Sequence, residues 1–151
     1  MNFVIFLDID GVLVSYNELK NYHIDQEHSF KINALDSLNA IISFYDADLC
    51  MISSWNTKFK NKKHYEDFLI NRGVIVNNLT IGDHVNRINF IKKFIAENKI
   101  TNYLIIDDES YEFFKSCITN NFPEYKRILQ PNRYRCLDNF DVEHVTKNWN
   151  L

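Results

Sequence analysis

Residues Phe3–Leu7 are five consecutive apolar side chains, and the run stops on Asp8-Ile9-Asp10-Gly11. A strand with one wet face alternates apolar and polar residues. A strand that is apolar at every position has both faces covered, which is the habit of parallel sheets packed between helices. The acids that end the run are a second constraint. Carboxylates at the edge of a dry environment are costly unless paired, hydrogen-bonded or bound to a cation.

The rest of the chain repeats the alternation. Ile32, Leu35, Leu38, Ile41, Ile42 and Tyr45 have helical spacing, and Leu49–Ile52 is a second apolar run. A helix is expected from Asn61 to Asn71, with Tyr65, Phe68 and Leu69 inward and Arg72-Gly73 ending it. The β-branched run Val74–Val76 is expected as the third strand, and Asn86–Glu97 as a helix with Ile88, Ile91, Phe94 and Ile95 inward. Tyr103–Ile106 reads as a strand, Ser110–Thr119 as a helix and Arg127–Leu129 as a weaker strand. Asn139–Trp149 reads as a last helix capped by Asp138 or Asn139. This order predicts an α/β fold, with a parallel sheet of about five strands and helices on both faces.

With 151 residues, 46% of them hydrophobic, the chain is expected to form a single domain over 1–151. No apolar run approaches the ~18 residues of a membrane span. The N-terminal run is too short for a signal peptide and has no basic leader. Three cysteines without CxxC spacing fit a reducing compartment. A cytoplasmic protein without a membrane partner is expected. The net charge of −3 carries no global nucleic-acid signature. His23 and His28 fall in a polar stretch without metal-ligand spacing.

In parallel sheets the C-terminal strand ends share one edge, and the ligand crevice lies there. The first strand delivers Asp8, Asp10 and Gly11 to that edge, the second Ser53-Ser54-Trp55-Asn56, and the fourth Asp107-Asp108. Four acids that close need a cation, and an all-oxygen set rich in carboxylates suits Mg²⁺. Response-regulator receivers also combine a parallel sheet, aspartates and Mg²⁺. Their phosphorylated aspartate follows the third strand, whose exit here is expected at Asn77-Asn78.

FLDIDGVLV resembles motif I of the haloacid dehalogenase (HAD) superfamily of phosphohydrolases, a DxDG pattern after an apolar strand. MISSW resembles its motif II and LIIDDES its acidic motif IV. The ISSWN form and the small size are similar to the HAD domains of Swiss-army-knife RNA-repair proteins. The resemblance implies a Rossmann-like HAD fold and a Mg²⁺-dependent phosphomonoesterase. It also implies a Lys or Arg near the start of the helix before motif IV. Arg87 matches best, with Lys92 and Lys93 further along.

These residue types suit the chemistry. Asp8 is expected as nucleophile and Asp10 as general acid and base. Ser53, or Ser54 beside it, is expected to hydrogen-bond the phosphate, and Arg87 to offset developing charge. Gly11 is expected to let the chain turn and bring backbone N–H groups to the phosphoryl oxygens. Asp8, Asp107 and Asp108 form the expected Mg²⁺ site, joined by the backbone carbonyl of Asp10 on the family pattern.

Gly11 to Phe30 is about twenty residues, and Ser54 to Arg87 is filled by a helix and a short strand, so neither holds a folded domain. No cap domain is expected, which leaves an open cleft. Lys58, Lys60, Lys62 and Lys63 follow the second strand exit, and Arg133 and Arg135 the fifth. Lysines at a helix start oppose the macrodipole, whereas phosphate binding would use them. Trp55 and Tyr134 are expected to stack bases. Lys60, Lys62, Arg133 and Trp55 thus join Gly11 and Ser54 as substrate-binding candidates. A nucleotide or polynucleotide end phosphate is the favoured substrate. The alternatives are small metabolites, phosphoproteins or a non-catalytic module that binds a phosphorylated partner. The sequence leaves the oligomeric state open.

Overall fold

The computed structural model describes residues 3–19, 30–109 and 127–149. β1 (Val4–Leu7) is buried at every position. It is flanked in parallel by β2 (Asp48–Met51) and β4 (Tyr103–Ile106), so Leu7 has Met51 on one side and Ile106 on the other. β3 (Leu79–Ile81) and β5 (Ile128–Leu129) form the edges of a five-stranded sheet of order β3-β2-β1-β4-β5. The unbroken apolar run is the central strand, as its two-sided burial requires.

Ile5 and Leu7 face one core layer with Leu38, Ile41 and Ile42 of α2 (Ile32–Tyr45) and Tyr65 and Leu69 of α3 (Lys62–Asn71). Val4 and Phe6 face the other, with Ile88 and Ile91 of α4 (Arg87–Asn98). Helices therefore cover both faces. α2 spans the expected residues and stops at Asp46, which adopts a left-handed conformation at φ 49°. The Asn61 side chain caps α3 by accepting from the His64 N–H. Asp138 caps α5 (Asn139–Glu143) in a reciprocal box with Asp141, and the helix widens into a π turn over His144–Asn148.

The third strand is not where the β-branched run placed it. The Val74 N–H closes the end of α3 on the Leu69 carbonyl, and the Ile75 N–H donates to Asn39 Oδ1 of α2. Val74–Val76 is therefore a connection bonded to helices, and the edge strand forms at Leu79–Ile81. Its exit is Gly82-Asp83, which corrects Asn77-Asn78. A receiver would keep a phosphorylated aspartate here in an interior crevice. Asp83 instead sits at the sheet's edge and accepts N–H groups from Val85 and Asn86.

α1 (Tyr16–Leu19) was not anticipated. The expected helix at Ser110–Thr119, and His23 and His28, lie outside the described residues. Among the described residues there is no cap domain, and no helix is long and apolar enough to cross a membrane. The sheet order reverses between β1 and β4, so the crevice opens at their C-terminal ends.

Candidate active site

Asp8 and Asp107 are held by extensions of the sheet. The Asp8 N–H donates to the Ile106 carbonyl at 3.0 Å, and the Asp107 N–H to the Leu129 carbonyl at 3.2 Å. Asp108 follows directly. The three carboxylates are buried and offer oxygens within 4.8 Å of one another.

Each has a distinct set of partners. Asp8 Oδ1 accepts the Ile9 N–H at 2.8 Å. Asp107 Oδ1 accepts the Glu109 N–H at 3.0 Å, and its Oδ2 accepts from Arg87 at 2.5 Å. Arg87 opens α4, and its guanidinium also lies 3.7 Å from Asp8 Oδ2. On the far side Arg133 Nε stands 3.3 Å from Asp108 Oδ2 as an ion pair without hydrogen-bond geometry, so that buried oxygen has no hydrogen-bond donor among the described residues.

Burial pushes the Asp8 carboxyl well above the usual range, and repulsion from Asp107 adds to this despite the opposing pull of Arg87. Burial raises Asp107 as well, against Arg87, and it raises Asp108 together with the charge of Asp107. Burial disfavours the Arg87 charge, but Asp107 and Asp8 hold its pKa above the ordinary value. The set is short of positive charge. Three clustered carboxylates, one with an undonated buried oxygen, fit a hard divalent cation.

A family model of the HAD domain in Swiss Army Knife RNA repair proteins matches residues 4–141. The chain belongs to that family. No curated protein and no solved structure gives a match.

Within this HAD domain the other anticipated residues separate. Gly11 has φ +77°, and a Cβ there would lie 2.6 Å from Asp108 Cγ, so glycine is what lets the turn pack on the carboxylate. Its N–H donates to the Val14 carbonyl at 2.7 Å. That donor is spent inside the turn. The Asp10 carboxylate lies outside the group of three, so in a metal site Asp10 would take part only through the backbone carbonyl that the family pattern implies.

Ser53 is fully buried at the end of β2, and its Oγ accepts the Trp55 N–H at 3.2 Å. Ser54 is exposed at the start of a 3-10 turn over Ser54–Lys58. Of the two hydroxyls, Ser53 is the one held at the strand end.

Trp55 does not offer a stacking face. It is 5% exposed, packs against Phe30 and Phe68, and donates Nε1–H to Asp10 Oδ1 at 2.7 Å. Lys58 Nζ covers its ring at 4.0 Å. Lys62 pairs with Glu66 at 3.7 Å. Lys63 pairs with Asp67 at 2.6 Å. These i,i+4 pairs explain both lysines without a ligand. Lys60 is exposed between the 3-10 turn and α3.

Of two neighbours of Asp108, Tyr16 went unrecognised in the sequence, and Arg133 was expected against substrate rather than against this carboxylate. Tyr16 lies near enough to feel the Asp108 charge, and burial and that charge push its hydroxyl pKa up to about 12. The Arg133 guanidinium lies 4.7 Å from the Tyr16 ring centre. Both arrive through long-range contact: the Tyr16 N–H donates to the Arg133 carbonyl at 3.0 Å, tying the loop after β1 to the loop after β5. DxDG signals no residue five or more positions downstream, so only the fold could reveal them.

Proposed function

We propose that the protein is a Mg²⁺-dependent phosphomonoesterase that works through an aspartyl-phosphate on Asp8. The observation that carries this reading is the buried Asp8-Asp107-Asp108 group at the crevice, with Arg87 against two of its members. Asp8 Oδ1 is tied to the Ile9 N–H, which leaves Oδ2 to attack phosphorus. As the new P–O bond forms, the ester P–O bond breaks and Asp10 gives its proton to the leaving oxygen. Asp10 then takes a proton from water as water attacks phosphorus. The bond to Asp8 breaks and phosphate leaves.

Arg87 offsets charge on the transferring oxygens, and Ser53 donates to them. Mg²⁺ held by Asp8, Asp107, Asp108 and the Asp10 carbonyl would supply positive charge that lets an anionic nucleophile meet an anionic phosphate.

The substrate is a nucleotide or polynucleotide end phosphate. The RNA-repair context of the family supports this, as does half-exposed Arg133 beside Asp108, and exposed Lys60 follows the β2 exit in the chain. A cytoplasmic location fits that substrate. The test is phosphate release with and without Mg²⁺ from nucleotides, 3′- and 5′-phosphorylated oligonucleotides, sugar phosphates and phosphopeptides. Mg²⁺-dependent release led by the oligonucleotides or nucleotides is expected. Preference for sugar phosphates or phosphopeptides would overturn the substrate class. Release from none would favour a module that only binds phosphorylated partners.

A further inference from the structure

Trp55 bonds two strand exits at once. Its backbone N–H donates to Ser53 Oγ at 3.2 Å and its indole N–H to Asp10 Oδ1 at 2.7 Å. The ring is confined by Phe30 and Phe68, whose ring centres lie 6.1 Å and 5.8 Å away, and Lys58 Nζ lies over its face. A hydrogen bond from so confined a side chain has a fixed direction.

We propose that Trp55 is a positioning residue that decides which oxygen of Asp10 carries the transferred proton. This inference rests on the phosphatase reading. An indole N–H is a donor only and never accepts a proton bond. A bare carboxyl oxygen accepts that N–H better than a protonated one, so Oδ1 stays bare when Asp10 takes up its proton. The proton is confined to Oδ2, which gives it to the leaving oxygen and later receives one from water. Without Trp55 the carboxyl rotates, and either oxygen is protonated. Attack by Asp8 does not require the indole; protonation of the leaving group does.

The experiment compares two ester classes. From a nucleoside monophosphate the nucleoside leaves as an alkoxide and needs its proton, whereas from a nitro-substituted aryl phosphate the aryl group leaves as a stable phenolate. Trp55→Phe keeps an aromatic ring and removes the donor. As Trp55 is buried, benzothienylalanine at position 55 provides a second variant, with the same bicyclic shape and no N–H. With either substitution, kcat/KM, which reports transfer to Asp8 and not the shared hydrolysis of the aspartyl-phosphate, should fall about 100-fold on the nucleoside monophosphate, within the span of general acid catalysis, and less than about threefold on the aryl ester. Equal losses on both esters, or no loss with the isostere, would overturn the positioning role. A wild-type protein inert on both esters would overturn the phosphatase reading first, and the inference with it.

Discussion

Arg87 donates to Asp107 Oδ2 at 2.5 Å, across the twenty positions that separate the first turn of α4 from the end of β4. Asp107 is fully buried, and the same guanidinium lies 3.7 Å from Asp8. Arg87 is the principal cation facing two inward carboxylates. Arg87→Gln should therefore lower stability in the metal-free protein by about 3 kcal/mol, because it leaves buried charge without its partner. Added Mg²⁺ should recover much of that loss. Urea unfolding with chelator and with Mg²⁺ measures both. A loss unaffected by Mg²⁺ would separate Arg87 from the cation site.

The three carboxylates also set a pH dependence. Asp8, Asp107 and Asp108 have folded-state pKa values above the ordinary 3.8. Between that value and the raised ones, the folded state binds more protons than the unfolded chain. Their contribution is then greatest at low pH and is lost as pH rises through the folded values. Metal-free protein should lose stability from this group on going from about pH 4 to pH 7, and saturating Mg²⁺ should remove the decline. Denaturation midpoints at several pH values, with and without Mg²⁺, report it. A Mg²⁺ increment no larger at pH 7 than at pH 4 would contradict the coupling.

Gly11→Ala places a methyl group 2.6 Å from Asp108 Cγ in a backbone conformation that disfavours side chains. Stability should fall by about 1–3 kcal/mol. Asp108 must shift, so Mg²⁺ affinity should weaken about tenfold or more, the lower end of effects seen when a ligand's support is disturbed. Calorimetric titration of Mg²⁺ gives the second number. Unchanged affinity would place Asp108 outside the cation site.

The lysines after β2 make a contrast. Lys60→Glu should weaken turnover of a phosphorylated oligonucleotide and leave a small aryl phosphate nearly unchanged. Lys62→Glu should change neither, since Lys62 is engaged with Glu66. Turnover of both substrates by both variants measures the difference. An oligonucleotide-specific loss with Lys62→Glu would put Lys62 on the nucleic-acid path.

The sheet and its acids were legible because they depend on local patterns. Continuous apolar runs marked β1 and β4, helical spacing marked α2, and strand ends carried the acids to one crevice. β3 was not legible: only Leu79 of its three residues is buried, so the more apolar Val74–Val76 gave the stronger local signal. The surroundings of the acids were harder still. Trp55 reaches Asp10 across 45 positions, and Arg133 meets Asp108 through the return of the chain after β5. An exposed stacking ring and an indole donor in the core have the same sequence signature. Burial distinguishes them, and burial belongs to the fold.

The central claim is that Asp8 takes the phosphoryl group. Its most direct test is rapid acid quenching of protein turning over a phosphorylated substrate with Mg²⁺, followed by borohydride reduction and peptide mass analysis. The account predicts reduction of an acyl-phosphate at Asp8, absent without substrate and absent in Asp8→Asn. Labelling at another residue, or continued turnover by Asp8→Asn, would contradict it.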